Sequence, residues 1–140
     1  MTYPKVKILA DSINALGKRI TTFEIEFQRF ILSELLTHKM LSRNAASSRA
    51  IPVSKVLEQV RNDPAMPSYF GKNQAGMQAK EELSGEDLEE VQLIWDQASK
   101  SAADFSDALA YNACHKQIAN RITEPFQWMK VLVTATEWNN

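Results

Sequence analysis

The sequence predicts an α/β (α+β) protein, a small mixed or antiparallel sheet packed with long helices, and three features carry that expectation. Arg19–Gln28 alternates Phe23, Ile25 and Phe27 against Thr22, Glu24, Glu26 and Gln28, the period of a strand with one buried face. Leu88, Val91, Trp95, Ala98, Ala102, Phe105 and Leu109 recur at the spacing of a long amphipathic helix. A length of 140 residues with 44% hydrophobic content suits one domain, 1–140, with an ordinary core.

The first element is a short strand in YPKVKILADS, where Val6, Ile8 and Ala10 alternate with Lys5, Lys7 and Leu9. NALG then turns the chain, so this strand and Arg19–Gln28 are expected to form a hairpin. Phe30, Ile31, Leu35 and Leu41 follow a three- to four-residue spacing, which predicts a helix buried on one side. That helix should end near Ser42, because the short polar residues of SRNAASSR compete for backbone hydrogen bonds. Pro52 and Ser54 open another helix, Lys55 to about Arg61.

Pro64, Pro67, Gly71 and Gly76 mark Asn62 to Gln78 as a long surface loop, and long loops in small domains are often functional. Ser84 followed by Asp87 resembles a capping box in acidic form at the start of the long helix. FQWMKVLVT has β-branched and aromatic residues in strand-like alternation. TATE, with Thr134 at the cap and Glu137 three residues on, then reads as a helix start, so the sequence looks cut just as an element begins.

Sixteen Lys and Arg balance seventeen Asp and Glu for a formal charge of −1, so no global field favours nucleic acid or an anionic membrane. Any anion binding must be local. The single Cys114 excludes an internal disulfide framework and a cysteine-built zinc site; no metal is expected. With no signal peptide and no long apolar run, a cytoplasmic location is the default expectation, host cytoplasm if the chain is phage-encoded.

THKMLSRNAASSRAIP, Thr37 to Pro52, concentrates His38, Lys39, Arg43 and Arg49 with Ser42, Asn44, Ser47 and Ser48, a donor set suited to phosphate oxygens and heterocycle edges. A solvated loop behind a helix accounts for the same composition, since the helix dipole favours Lys and Arg there and Ser and Asn occupy turns. Composition leaves both readings open. In HKQIANRITEPFQW, Arg121 and Glu124 precede Pro125, placing Arg121 near an element boundary where it can reach a ligand; an Arg beside a Glu can equally be a surface ion pair. Cys114 beside His115 makes a poor thiol nucleophile, because adjacent helical residues point about 100° apart. Trp95, Trp128 and Trp138 read as core or interface residues.

The spaced residues His38, Ser42, Asn44, Ser47 and Arg49 resemble the signature of flavin-dependent thymidylate synthases, an Arg-His-Arg triplet followed by Ser, Asn, Ser and Arg. ADSINALGKRITTFEIEFQRFILSELLTHK is similar to the start of the long phage and bacterial form, and HKQIANRITEPFQWMKVLVTATEWNN to its middle, so the resemblance covers nearly the whole chain. Thr37 and Lys39 stand where the triplet has arginines, which removes one fork-shaped donor and replaces another with a point charge. Ala50 replaces a frequent aromatic.

The resemblance implies methylation of dUMP to dTMP, with the carbon from methylenetetrahydrofolate, the hydride from reduced FAD and NADPH as reductant. It implies dUMP contacts from Glu34, Ser47, Arg49 and Arg121, and flavin contacts from His38, Lys39 and Asn140, while Ser42 and Asn44 fix the loop. Family members continue past EWNN with an aromatic pair, a Leu and an Arg that polarises the uracil. No catalytic residue is therefore expected in this chain, and a complementing C-terminal fragment is expected for full activity. The family is homotetrameric, with sites assembled from several subunits. The alternative from another class is a non-catalytic helical interaction module that docks a partner on the Leu88 to Leu109 stripe and holds an anion in the basic loop.

Overall fold

The described residues form one four-stranded sheet, all pairs antiparallel, in which the first strand of the chain pairs with the second, the second with the fourth and the fourth with the third. The computed structural model describes residues 4–139. β1 (Lys5–Ile13) and β2 (Arg19–Gln28) form the expected hairpin. Its turn is held by Asn14, whose side-chain oxygen accepts from the backbone N–H groups of Leu16 and Lys18, and by Gly17 at φ +79°, where a Cβ would be strained. β4 (Trp128–Ala135) lies beside β2 in a register that opposes Phe27 to Met129, Ile25 to Val131 and Phe23 to Val133. These pairs share one face, and α1 (Leu32–Leu36) covers it with Leu32 and Leu35, joined by Leu41.

The second core lies beyond the end of the sheet. α2 (Val53–Asn62) packs Val56, Leu57 and Val60 against Ala103 of α3 (Gly85–Tyr111) and against Phe126. Trp95 joins the two levels: its indole N–H donates to the Ala65 carbonyl at 2.9 Å, and its ring meets Phe30, Phe70 and Phe126 edge to face. The long loop after α2 is anchored by buried Gln28, whose amide donates to the Met66 carbonyl and the Ser68 hydroxyl. No helix of the described residues is long and apolar enough to cross a membrane.

Five sequence expectations need correction. The helix predicted from Phe30 towards Ser42 is a 3-10 turn (Arg29–Ile31) followed by only five α-helical residues. SRNA is no loop: Ser42–Ala45 forms β3, because the open edge of β4 offers its backbone groups ladder partners that side-chain competition cannot match. The stripe of α3 is rotated along its C-terminal half, where Ser99, Ala103 and Ser106 are buried and Phe105 is 67% exposed. Small residues let α2 and the segment after α3 approach closely, and the Ser106 hydroxyl donates to the Ala119 carbonyl at 2.9 Å. Thr134 caps no helix; it lies in β4 opposite Thr22, with the two hydroxyls 2.7 Å apart. Ser84 occupies the cap of α3 without a side-chain hydrogen bond.

Candidate functional site

The Ser47–Ile51 turn connects β3 to α2, and its alternation decides what it presents. Ser48 is buried, while Ser47 and Arg49 on either side of it are exposed. The Ser47 hydroxyl accepts from the Arg49 backbone N–H at 3.3 Å, and the Ser47 carbonyl from that of Ala50 at 2.9 Å, so the turn is internally braced. A residue far along the chain fixes its position. Asn120, fully buried, donates its amide N–H groups to the carbonyls of Ser48 and Ile51, each at 3.0 Å. Arg121 follows Asn120 directly, so two of the predicted substrate-binding segments are stapled together through a neighbour of each.

Arg121 sits between α4 (Lys116–Ala119) and a second 3-10 turn (Glu124–Phe126). Its guanidinium is 3.6 Å from Glu124 Oε1, and Arg29 approaches the same oxygen at 3.3 Å from the other 3-10 turn. A groove of about 430 Å³ opens there, with Arg29, Ser33, Arg121, Glu124 and Pro125 along it. Glu34 lies one residue beyond Ser33 on α1, exposed, and accepts from the Ser33 hydroxyl at 2.8 Å.

His38 and Lys39 line a separate groove of about 560 Å³ together with Leu35, Met40, Leu41, Glu137 and Trp138. Glu34 itself lines neither of these two grooves, although its neighbours Ser33 and Leu35 line one each. Trp138 is set by an edge-to-face contact with Phe23, centroids 4.7 Å apart, and by donation from its indole N–H to the Ala135 carbonyl at 3.0 Å. Arg43 is turned back to the His38 carbonyl, which steadies the His38–Lys39 segment. Asn140, the third predicted flavin contact, lies outside the described residues. Ser42 and Asn44 act through the β3 ladder, opposite Thr134 and Leu132.

His115 accepts from the Gln117 backbone N–H at 3.1 Å and so caps α4 instead of activating the partly buried Cys114. Sequence reasoning missed Asn120 and Arg29. It also missed a third groove, about 310 Å³, between α2 and the start of β4, where Arg29, Lys55 and Lys130 stand around Glu26, Trp128 and an apolar floor.

No family model matches the chain, and no curated protein sequence does. Solved structures do match. The UMP/dUMP methylase PolB from Streptomyces cacaoi, bound with 5-Br UMP, superposes with a TM-score of 0.76 over 97% of this chain and 73% of PolB, at 14% identity. The same methylase bound with 5-Br dUMP gives 0.75 over 97% and 74%, at 13% identity. The two proteins share a fold. The α/β architecture predicted from the sequence, an antiparallel sheet with a long helix, is the architecture of PolB as well.

Proposed function

We propose that this chain binds a pyrimidine nucleoside monophosphate and takes part in its methylation, in the manner of a flavin-dependent thymidylate synthase acting on dUMP. One observation supports the reading: the Asn120 staple ties the backbone of the Ser47–Ile51 turn to the segment that begins with Arg121, so two segments 72 residues apart that carry a hydroxyl and two guanidiniums, groups suited to a phosphate monoester, are anchored to each other. The shared fold with a UMP/dUMP methylase supports it.

Arg49 and Arg121 neutralise the phosphate, Ser47 donates a neutral hydrogen bond, and Glu34 faces the base. The second groove has the donor set for FAD: an apolar floor of Leu35 and Leu41 for a flat ring, with His38 and Lys39 as cationic or polar rim. When bound, FAD supplies the hydride, and NADPH restores it. The chain's own residues orient the two ligands about Glu34 and keep water from the apolar floor. The methyl carbon comes from methylenetetrahydrofolate. Copies of the chain assemble into a homotetramer through the exposed flank of α3.

A second reading, a non-catalytic helical interaction module, is favoured by that same flank, where Ile94 is 56% and Phe105 67% exposed. Absorption spectroscopy and calorimetry separate the two. A yellow protein, or one that takes up added FAD and then dUMP, supports the nucleotide reading; a colourless protein that takes up neither supports the module.

A further inference from the structure

The groove between α2 and the start of β4 plays no part in the nucleotide reading. Ile51, Val56, Trp128 and Met129 give it an apolar floor, and Glu26, Arg29, Lys55 and Lys130 also line it. Its glutamines are committed to the chain itself. Gln59 donates to the carbonyls of Asp63 at 2.7 Å and Phe126 at 3.2 Å, and Gln127 donates to the Asn120 carbonyl and the Thr123 hydroxyl, each at 2.9 Å. The Trp128 indole N–H is fixed to the Asp63 carbonyl at 3.0 Å, which holds its ring in the wall. An occupant therefore meets mainly apolar surface and charge. The charges do not cancel: Glu26 answers Lys130 at 3.6 Å, and Glu124, from outside the groove, answers Arg29 at 3.3 Å. Lys55 is left with no acidic partner among the described residues, since Glu58, one turn along α2, is exposed and does not line the groove.

We infer that this groove binds a small aromatic monocarboxylate, its ring on the apolar floor and its carboxylate at Lys55, and that the occupant braces the Ser47–Ile51 turn. A volume of about 310 Å³ lies at the small end of ligand sites, which run from about 300 to 1,000 Å³, and suits one or two fused rings. Trp128 in the wall favours an aromatic body over an aliphatic one. One carboxylate answers the one lysine left over, and a lysine, as a mobile point charge, accepts it from any direction of approach. Ala46 and Ile51 flank Ser47–Ala50 and both line the groove, whereas Ser47 and Arg49 do not, so the occupant touches the two ends of the turn and leaves its exposed donors clear. The site stands whether or not the nucleotide reading does.

Calorimetry with 2-naphthoate tests the site, beside 2-naphthamide for the ring without the charge and acetate for the charge without the ring. The naphthoate should bind, the amide about three- to tenfold more weakly, the scale of one exposed charge pair. Acetate should bind roughly a hundredfold more weakly, since it leaves the floor wet. Lys55→Gln, at an exposed position that should not disturb the fold, should abolish the preference for acid over amide. Ala46→Leu, also at an exposed position, should weaken both by filling the groove. In the bound protein the Ala50 amide, which donates to the Ser47 carbonyl at 2.9 Å, should exchange its hydrogen more slowly. No uptake of naphthoate, equal binding of acid and amide, or a preference that survives Lys55→Gln overturns the site. A preference lost with Lys39→Gln in place of Lys55→Gln puts the ligand in the groove at Trp138 and overturns it as well. So does naphthoate binding that Ala46→Leu leaves unchanged while copies of the chain come apart in sedimentation, because the groove is then covered by a second copy. Unaltered exchange at Ala50 overturns the bracing of the turn.

Discussion

Asn120 donates from a fully buried side chain to the Ser48 carbonyl 3.0 Å away, tying the start of the Arg121 segment to the turn between β3 and α2. Its second N–H holds the Ile51 carbonyl at the same distance, and its own Oδ1 is buried without a partner. Asn120→Ala should cost about 2 kcal/mol or more, because two hydrogen bonds disappear and the acceptors stay enclosed. Asn120→Asp should cost more, since it sets a carboxylate against carbonyl oxygens. Urea unfolding of both variants gives the order, and loss of dUMP affinity should exceed what instability explains.

Ala103 has no exposed surface where α3 meets α2. Ala103→Leu should therefore destabilise by about 1–3 kcal/mol through overpacking. Phe105, assigned to the buried stripe by spacing alone, points outward, and Phe105→Ser should stay within about 0.5 kcal/mol of the parent. Thermal unfolding at low protein concentration, where copies are apart, distinguishes the two positions.

α3 ends with Ala113 at φ 61°, a left-handed conformation that suits glycine. The Cys114 N–H reaches back to the Leu109 carbonyl at 2.9 Å and the Ala113 N–H to that of Ala110 at 3.0 Å. Ala113→Gly keeps both bonds and removes the strained Cβ. A stabilisation of about 0.5–1 kcal/mol is expected, measurable as a higher melting temperature.

Hydrogen bonding from Arg19 pulls the Asp11 carboxyl down from 3.8 to about 2, against an opposing effect of desolvation, with the Thr21 hydroxyl and the Arg19 charge assisting. A depressed carboxyl contributes its stabilisation above the unfolded value and loses it as pH falls through the folded one. The hairpin contact should thus weaken between about pH 4 and pH 2, and less visibly in high salt, because the pair is exposed. NMR titration of the Asp11 carboxyl carbon checks the midpoint; a midpoint near 4 would contradict the contact.

What the sequence discloses depends on where each residue's partner lies. β2 is bounded correctly at Arg19 and Gln28 because one covered face imprints its alternation on the chain. β3 leaves no such imprint: Ser42–Ala45 is polar and becomes a strand only because β4 presents an edge. The outward turn of Phe105 is equally hidden, since Ser99, Ala103 and Ser106 are buried for their size and not their hydropathy. In the candidate region, chemistry singles out Ser47, Arg49 and Arg121 as donors without choosing between a ligand site and a solvated turn; the family resemblance makes that choice. Asn120 is not singled out, because its acceptors are 72 and 69 residues away. Arg29, between the strand that ends at Gln28 and the apolar residues from Phe30, carries no signal of its own until the fold sets Glu124 beside it.

β1 is exposed along all nine residues, and its outer side has no strand partner among the described residues. An uncovered row of amide and carbonyl groups is a template on which a further strand can grow, and natural sheets blunt such rows with lysine. Lys5 and Lys7 do so here. Their repulsion is screened within about 10 Å at 0.1 M salt, so ionic strength governs the colloidal behaviour of concentrated samples, which turn turbid sooner as salt is raised.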